Sequence, residues 1–256
     1  MNPKLPLALL ALSGILCSQL SAQDSTLHYS GIPMVKSSTL LNEGIPINQK
    51  WYTYNTRRLV TTTTSSGKDS SYISFNYDKP DTIVREVDNK QLVYQRNKSG
   101  LVTRISDGTE NSKNFQEFTY DKNGFLTKKV TRDDYGSYVC RNEYIYSYKY
   151  DNLVYEQRKQ VMQQGGRTTE YTYQISYEYY LDKVNAFGNN NYGEPYFGRS
   201  NRNLLKSVYY TGPEAINSYE TITYDFNQQA LPFRMMRKGS TNSGGSYLEV
   251  TVYQFE

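Results

Sequence analysis

The side chains that most often carry catalysis are scarce in this 256-residue chain. It holds one histidine, His28, and two cysteines, Cys17 and Cys140. A nucleophilic serine or cysteine needs a base beside it, and zinc needs three or four His, Cys or acidic ligands at suitable spacing. The positions of these residues favour a solvated histidine near the N-terminus and a small buried cysteine within a strand. We therefore expect no catalytic residue, no metal site and no cofactor.

The acidic residues offer a weaker route to chemistry. The pairs Asp133-Asp134 and Asp78…Asp81 lack the alternating acidic loop of a calcium site, and turn formation explains them better. A carbohydrate-active enzyme needs two suitably placed carboxylates, and the 25 acidic residues leave that alternative open. Most of them occupy turns or exposed strand faces, so we expect a protein that is not an enzyme.

Aromatic side chains are the other candidates, because rings can stack on the faces of sugars. The chain has 27 tyrosines, nine phenylalanines and one tryptophan. A row of tyrosines with period two is equally the packing face of a sheet. Our candidate ligand contacts are Trp51 and the rings of one Gly- and Asn-rich connection, 181–203: Phe187, Tyr192, Tyr196 and Phe197. A connection of this length is usually functional or disordered; we predict a structural plug or lid, with a ligand-binding loop as the alternative.

The elements that must position these rings are β-strands. In Glu143 to Asp151 the tyrosines at 144, 146, 148 and 150 share one face of an extended strand, which then ends at a turn. Similar segments recur along the chain, no sustained pattern of period 3.6 appears, and short turns join them. The pattern predicts an all-β antiparallel meander of about fourteen strands, curled or closed into a porin-like barrel.

Composition is consistent with a half-solvated sheet. Hydrophobic residues make up 37% of the chain and the mean hydropathy is −0.74, so tyrosine must supply much of the buried surface. The net charge of +4 is small and scattered, which argues against nucleic-acid binding. We expect a monomer whose partners are a glycan or another envelope protein.

The N-terminus predicts export. Lys4, an apolar run and the small residues before Ala22 form a secretory signal over 1–22, with Cys17 leaving lipidation as an alternative. Residues 23–50 are predicted to be irregular, because Gly31, Pro33, Gly44 and Pro46 interrupt any pattern; one β domain, 51–256, follows. The protein would then lie in the periplasm, at the outer membrane or on the cell surface.

Two motifs resemble known families. The segment from Phe118 to Leu126, F-T-Y-D-K-N-G-F-L, is similar to the YD-type repeats of bacterial surface proteins. The blocks 181–187 (LDKVNAF) and 200–207 (SNRNLLKS) resemble a family of exported Gram-negative envelope proteins of unknown function with a porin-like β-barrel fold. That family usually has proline where Ala186 stands. The resemblance covers roughly 51–256; it implies a meander barrel and supplies no catalytic residues.

Three functions follow as hypotheses. The first is an exported, non-enzymatic envelope or surface barrel that acts as a binding or structural module, with glycans as one possible ligand class. The second is a porin-like channel in the outer membrane. Its lipid face should be a continuous apolar band with aromatic girdles, whereas tyrosines run through the middle of these strands, so membrane insertion is not favoured. The third is the carbohydrate-active enzyme.

Overall fold

The computed structural model describes residues 32–67, 70–87, 90–109, 111–213, 217–241 and 245–256. They form one closed barrel of sixteen antiparallel strands, in which each strand pairs with the next and β1 pairs with β16. The strands are β1 Val35–Asn42, β2 Ile45–Tyr54, β3 Val60–Gly67, β4 Ser71–Asn76, β5 Thr82–Val87, β6 Lys90–Arg96, β7 Val102–Ser106, β8 Phe115–Tyr120, β9 Leu126–Asp134, β10 Tyr138–Lys149, β11 Asn152–Gln164, β12 Arg167–Val184, β13 Asn203–Thr211, β14 Asn217–Phe226, β15 Pro232–Thr241 and β16 Ser246–Phe255.

The predicted antiparallel meander is confirmed, and it closes into a barrel. The strand containing 144–148 is β10, and along β12 the half-buried Tyr171, Tyr173 and Tyr177 alternate with exposed polar residues. The predicted signal over 1–22, with Cys17, and also His28, lie outside the described residues.

The prediction that 23–50 is irregular is wrong for its described part, because β1 and most of β2 lie there. Gly44, with φ of 81°, supplies the left-handed turn between these two strands and does not end the sheet. Pro46 faces Leu41 where the β1–β2 register shifts, and proline is tolerated at such a bulge. The barrel therefore begins at Val35 and not at Trp51.

One end of the barrel is lined by aliphatic residues and braced by tyrosines. Each odd-numbered strand from β1 to β13 has a buried aliphatic side chain there, at its first or second residue: Val35, Val60, Ile83, Val102, Leu126, Leu153 and Leu204. The hydroxyls of Tyr77 and Tyr120 donate to the backbone carbonyls of Val60 and Val102 at 2.7 and 2.9 Å. Tyr54 and Tyr179 make the same bond to Val35 and Leu153. These four tyrosines therefore tie the second strand of four hairpins to the first.

Four hairpins at this end share one five-residue turn. In the turn 97–101 the Oδ1 of Asn97 accepts from the amides of Ser99 and Leu101 at 3.0 Å each, and the Asn97 amide donates to the carbonyl of Leu101. The same bonds recur in 55–59, 121–125 and 227–231. The fourth residue has positive φ in each: Arg58, Gly100, Gly124 and Ala230. This is a type I turn followed by a left-handed residue.

Candidate functional site

The connection between β12 and β13 folds into the barrel. It runs from Asn185 to Arg202 and contains a helical turn α1, Asn189–Tyr192, and a 3-10 turn, Pro195–Phe197. Its rings contact Tyr52 of β2, Tyr94 of β6 and Phe118 of β8, and also Tyr224 of β14 and Tyr253 of β16. These strands lie on opposite sides of a closed sheet, so the segment must lie in the lumen. We call residues 185–202 the plug, and the end that it fills the plug end.

Hydrogen bonds fix the plug to the wall around its circumference. The amide of Val60 donates to the carbonyl of Gly193 at 3.0 Å, and the amide of Arg199 donates to the carbonyl of Gly124 at 2.9 Å. The amide of Leu153 donates to Oδ1 of the buried Asn201 at 2.7 Å. Such bonds satisfy backbone groups that would otherwise be buried without partners, which explains the asparagine-rich sequence of this segment.

Gly193 and Gly198 allow the backbone of the plug to approach the wall. At Gly193 a Cβ would lie 2.4 Å from the amide nitrogen of Val60, and at Gly198 one would lie 2.6 Å from the ring of Tyr120. Both residues have positive φ, at 71° and 93°. Glycine is therefore required at both positions by conformation and by space.

The structure separates the five predicted ligand-contact residues. Phe187, Tyr196 and Phe197 are 7%, 4% and 9% exposed and belong to two core clusters between plug and wall. Tyr192 is half-buried against Tyr52, with ring centroids 5.3 Å apart. Trp51 lies on the opposite face of β2 and is 39% exposed. The prediction of the four loop rings as a contact surface is corrected: their apolar faces are used in packing, as the plug interpretation expects.

Glu194 is a half-buried residue of the plug with a carboxyl side chain. Burial raises its pKa to about 7, while the positive charges of Arg85 and Lys50 act in the opposite direction. Burial also raises the pKa of Tyr52 on the neighbouring wall to about 12. The plug therefore carries a carboxyl that can change its charge near neutral pH.

The inner wall beyond the plug carries a row of alternating rings and cations. Phe118, Lys129, Tyr144, Arg158 and Tyr173 are successive cross-strand partners on β8 to β12. They face the lumen, because Phe118 packs against the plug ring of Phe197 and directly opposed residues share a face. We call these five residues the cation–ring row.

The cations of this row lie over their neighbours. The ammonium of Lys129 is 5.6 Å from the ring centroid of Phe118 and 5.7 Å from that of Tyr144. The guanidinium of Arg158 is 5.5 Å from Tyr144 and 5.3 Å from Tyr173. These distances are within the range of cation–π attraction. The tyrosine alternation on β10 and β12 was visible in sequence, but the row depends on the register of five strands.

A network of amides lies beside the row. The Oδ1 of Asn142 accepts from Nε and Nη2 of Arg158 at 3.1 and 2.9 Å, and from Nε2 of Gln160 at 3.1 Å. The Nδ2 of Asn142 donates to Oγ1 of Thr131 at 3.1 Å. Cys140 lies at the edge of this network and not in a buried apolar site, since Gln160 Nε2 is 3.5 Å from its sulfur. The network holds the Arg158 side chain in one orientation.

The described part of the chain contains neither a group of metal ligands nor a membrane-spanning helix. In those residues no group of three or more His, Cys, Asp and Glu side chains could hold a metal ion. None of the helices described there is long and apolar enough to cross a membrane.

No family model matches the chain, and no curated protein matches its sequence. Among the solved structures that resemble it are two porin-like proteins. A porin-like protein from Bacteroides uniformis aligns with a TM-score of 0.58 and 14% identity, covering 87% of this chain and 98% of that one. A porin-like protein from Bacteroides vulgatus aligns with a TM-score of 0.48 and 11% identity, covering 88% and 99%.

The similarity to the first of these structures confirms the predicted porin-like barrel. Membership in the envelope family and the relation to YD-type repeats stay predictions. What the comparison establishes is the architecture: this chain has the barrel fold of the porin-like protein from Bacteroides uniformis.

Proposed function

We propose that this protein is an exported, non-enzymatic barrel of the cell envelope that acts as a binding or structural module and not as an open pore. The observation that carries the proposal is the plug. Its rings and backbone groups are bonded to strands on both sides of the lumen, and Phe187, Tyr196 and Phe197 bury their surfaces there. A through-channel would need this packing to be disrupted.

The outer face of β7 to β12 supports a barrel that is not surrounded by lipid. Lys128 pairs with Glu143 at 2.9 Å and Lys159 pairs with Glu170 at 2.8 Å, on the face opposite to the cation–ring row. Arg104 and Glu117 form a further pair on this face. A Lys or Arg at the centre of a lipid-facing band costs about 2–4 kcal/mol. Several such charges in the middle of the strands would oppose insertion of this side.

Location in the envelope is supported by two observations of different kinds. The sequence of 1–22 has the pattern of a secretory signal, which would direct export, and the porin-like protein of similar fold comes from a Gram-negative Bacteroides. A protein of this kind would act in the periplasm or at the outer membrane.

A channel is the second candidate. The closed sixteen-strand barrel and its likeness to a porin-like protein favour it. So does the outer side formed by β16, β1 and β2, where Leu248, Ile47 and Trp51 are 59%, 45% and 39% exposed. The two candidate functions therefore differ in whether water or lipid surrounds the barrel and in whether the plug moves out of the lumen.

Light-scattering chromatography of residues 23–256 without detergent, followed by conductance across a planar bilayer, tests the proposal. We expect a single monomeric peak and no current steps. Aggregation that detergent relieves, together with discrete conductance, would replace the closed module with the channel. Product analysis after incubation with polysaccharides tests the non-enzymatic part, which defined cleavage products would refute.

A further inference from the structure

The cation–ring row has features that packing of the wall does not require. It places two positive charges on the inner face of β9 and β11, where the lumen-facing Tyr144, Arg158 and Tyr173 are half-buried and keep part of their surface accessible to solvent. Barrel stability alone would be served by apolar or neutral side chains at these positions, because desolvating a cation is unfavourable. The row is therefore suited to bind a negatively charged ligand.

Arg158 is held in a fixed orientation with donors to spare. Asn142 accepts from its Nε and Nη2, and the rings of Tyr144 and Tyr173 flank the guanidinium plane. Within the described part of the chain, Nη1 makes no hydrogen bond. A guanidinium whose rotamer is already fixed loses little entropy when it binds a planar carboxylate.

Two carboxyls lie on the same wall as the row. Asp133 lies on the same face towards the far end of the barrel, and Glu156 lies towards the plug, where it accepts a hydrogen bond from Tyr177 at 2.9 Å. Burial raises the pKa of both carboxyls. The positive charge of Lys129 opposes this effect for both, and the hydrogen bond from Tyr177 and the charge of Arg158 oppose it for Glu156. Protonation of these groups would leave the row more positive.

We propose that the cation–ring row is a binding site for an acidic oligosaccharide, such as one containing uronic acid residues. Tyr173 would stack on a sugar ring, Arg158 and Lys129 would bind the carboxylate, and the amide of the half-buried Gln160 would contact hydroxyls. The inference rests on the proposed binding function and gives it a ligand class and a location.

Calorimetry with the full protein tests the site with tetragalacturonate as the probe, neutral galactotetraose as the uncharged analogue and sodium acetate as a bare carboxylate. We expect binding of tetragalacturonate and at least tenfold weaker binding of the two comparison compounds. Arg158→Gln should weaken tetragalacturonate binding about 10- to 100-fold, the effect of losing hydrogen bonds to a charged group.

Neighbouring residues provide matched controls for the loss of one positive charge. Lys159→Gln and Lys128→Gln remove charges from the same strands as Arg158→Gln and Lys129→Gln, but on the outer face. We expect the outer variants to bind within about twofold of the parent, because exposed charges are screened. If Arg158→Gln does not fold, the pair Lys129→Gln and Lys128→Gln gives the same comparison.

Three results would overturn the proposal: no binding of tetragalacturonate, equal binding of the neutral analogue, or equal losses in inner and outer variants. If tetragalacturonate does not bind and the monomer does not conduct, the protein is a closed structural barrel and not a binding module. Conductance would refute the closed module independently of the binding result.

Discussion

At the scale of the single residue, Glu194 links the plug to the pH of its surroundings. Burial raises its pKa to about 7 in the folded protein, from the ordinary glutamate value of 4.5. The folded state therefore binds more protons than the unfolded state between these two values, so stability falls as pH rises through this window. The neighbouring cations, Arg85 and Lys50, reduce this loss without removing it.

Glu194→Gln should flatten the pH dependence of stability. We expect the variant to be more stable than the parent at about pH 8, by up to about 3 kcal/mol, and similar to it at about pH 5. Urea unfolding at the two pH values measures the difference. Glu170→Gln, which removes an exposed carboxylate of the outer face, is the control and should not reproduce the change in slope.

Residue types alone located the rings of the plug but not their role. Phe187, Tyr196 and Phe197 stand among Gly and Asn residues, which shows that they need a packing partner without showing whether it is a wall or a ligand. The cation–ring row was harder to predict. Lys129 and Arg158 are ordinary charged residues within strands, and their neighbours Lys128 and Lys159 have the same charge on the opposite face.

At the scale of the element, the shared turn explains both a success and a failure of the sequence. In 121–125 the pair Asn123-Gly124 is a sequence signal for a tight hairpin with positive φ, and the hairpin is present. Gly124 has φ of 84°, whereas Asn123 is not among the residues with positive φ, so one left-handed residue is sufficient. In 55–59 and 227–231 Arg58 and Ala230 occupy that position, which hides the motif from a search for glycine.

Asn97→Ala should destabilise the protein by about 1–2 kcal/mol, because Oδ1 of Asn97 accepts from two backbone amides that would lose this partner. Chemical unfolding measures the loss. Asn97→Asp keeps the acceptor, as Asp121 does in its own turn, and should retain most of the stability. Equal losses in both variants would show that the side-chain acceptor is not what holds the turn.

At the scale of the whole molecule, closure depends on β1. This strand pairs with both β2 and β16, and the sequence could not predict it because Gly44 and Pro46 resemble breaks. A meander can be recognised from local alternation, but closure is a contact between the two ends of the chain. No local pattern records that contact.

A chain of residues 51–256 should fail to form the barrel. It lacks β1 and six of the ten residues of β2. This leaves β16 without a partner on one side and exposes part of β3, and such open edges promote aggregation. Size-exclusion chromatography compares this shorter chain with residues 23–256. We expect a monodisperse peak only for the longer chain. A stable monomer of 51–256 with unchanged circular dichroism would show that the barrel closes without its first strand.

The hydrogen bond from the amide of Glu256 to the carbonyl of Met34 brings both ends of the described chain to the plug end. The position of the two chain ends fixes how the barrel is oriented when it is attached to a support. An attachment at either end of the described chain, natural or engineered, would therefore hold the barrel by its plug end. The far end then points away from the support, so immobilisation through a terminal tag would present the hairpins of that end to a second surface.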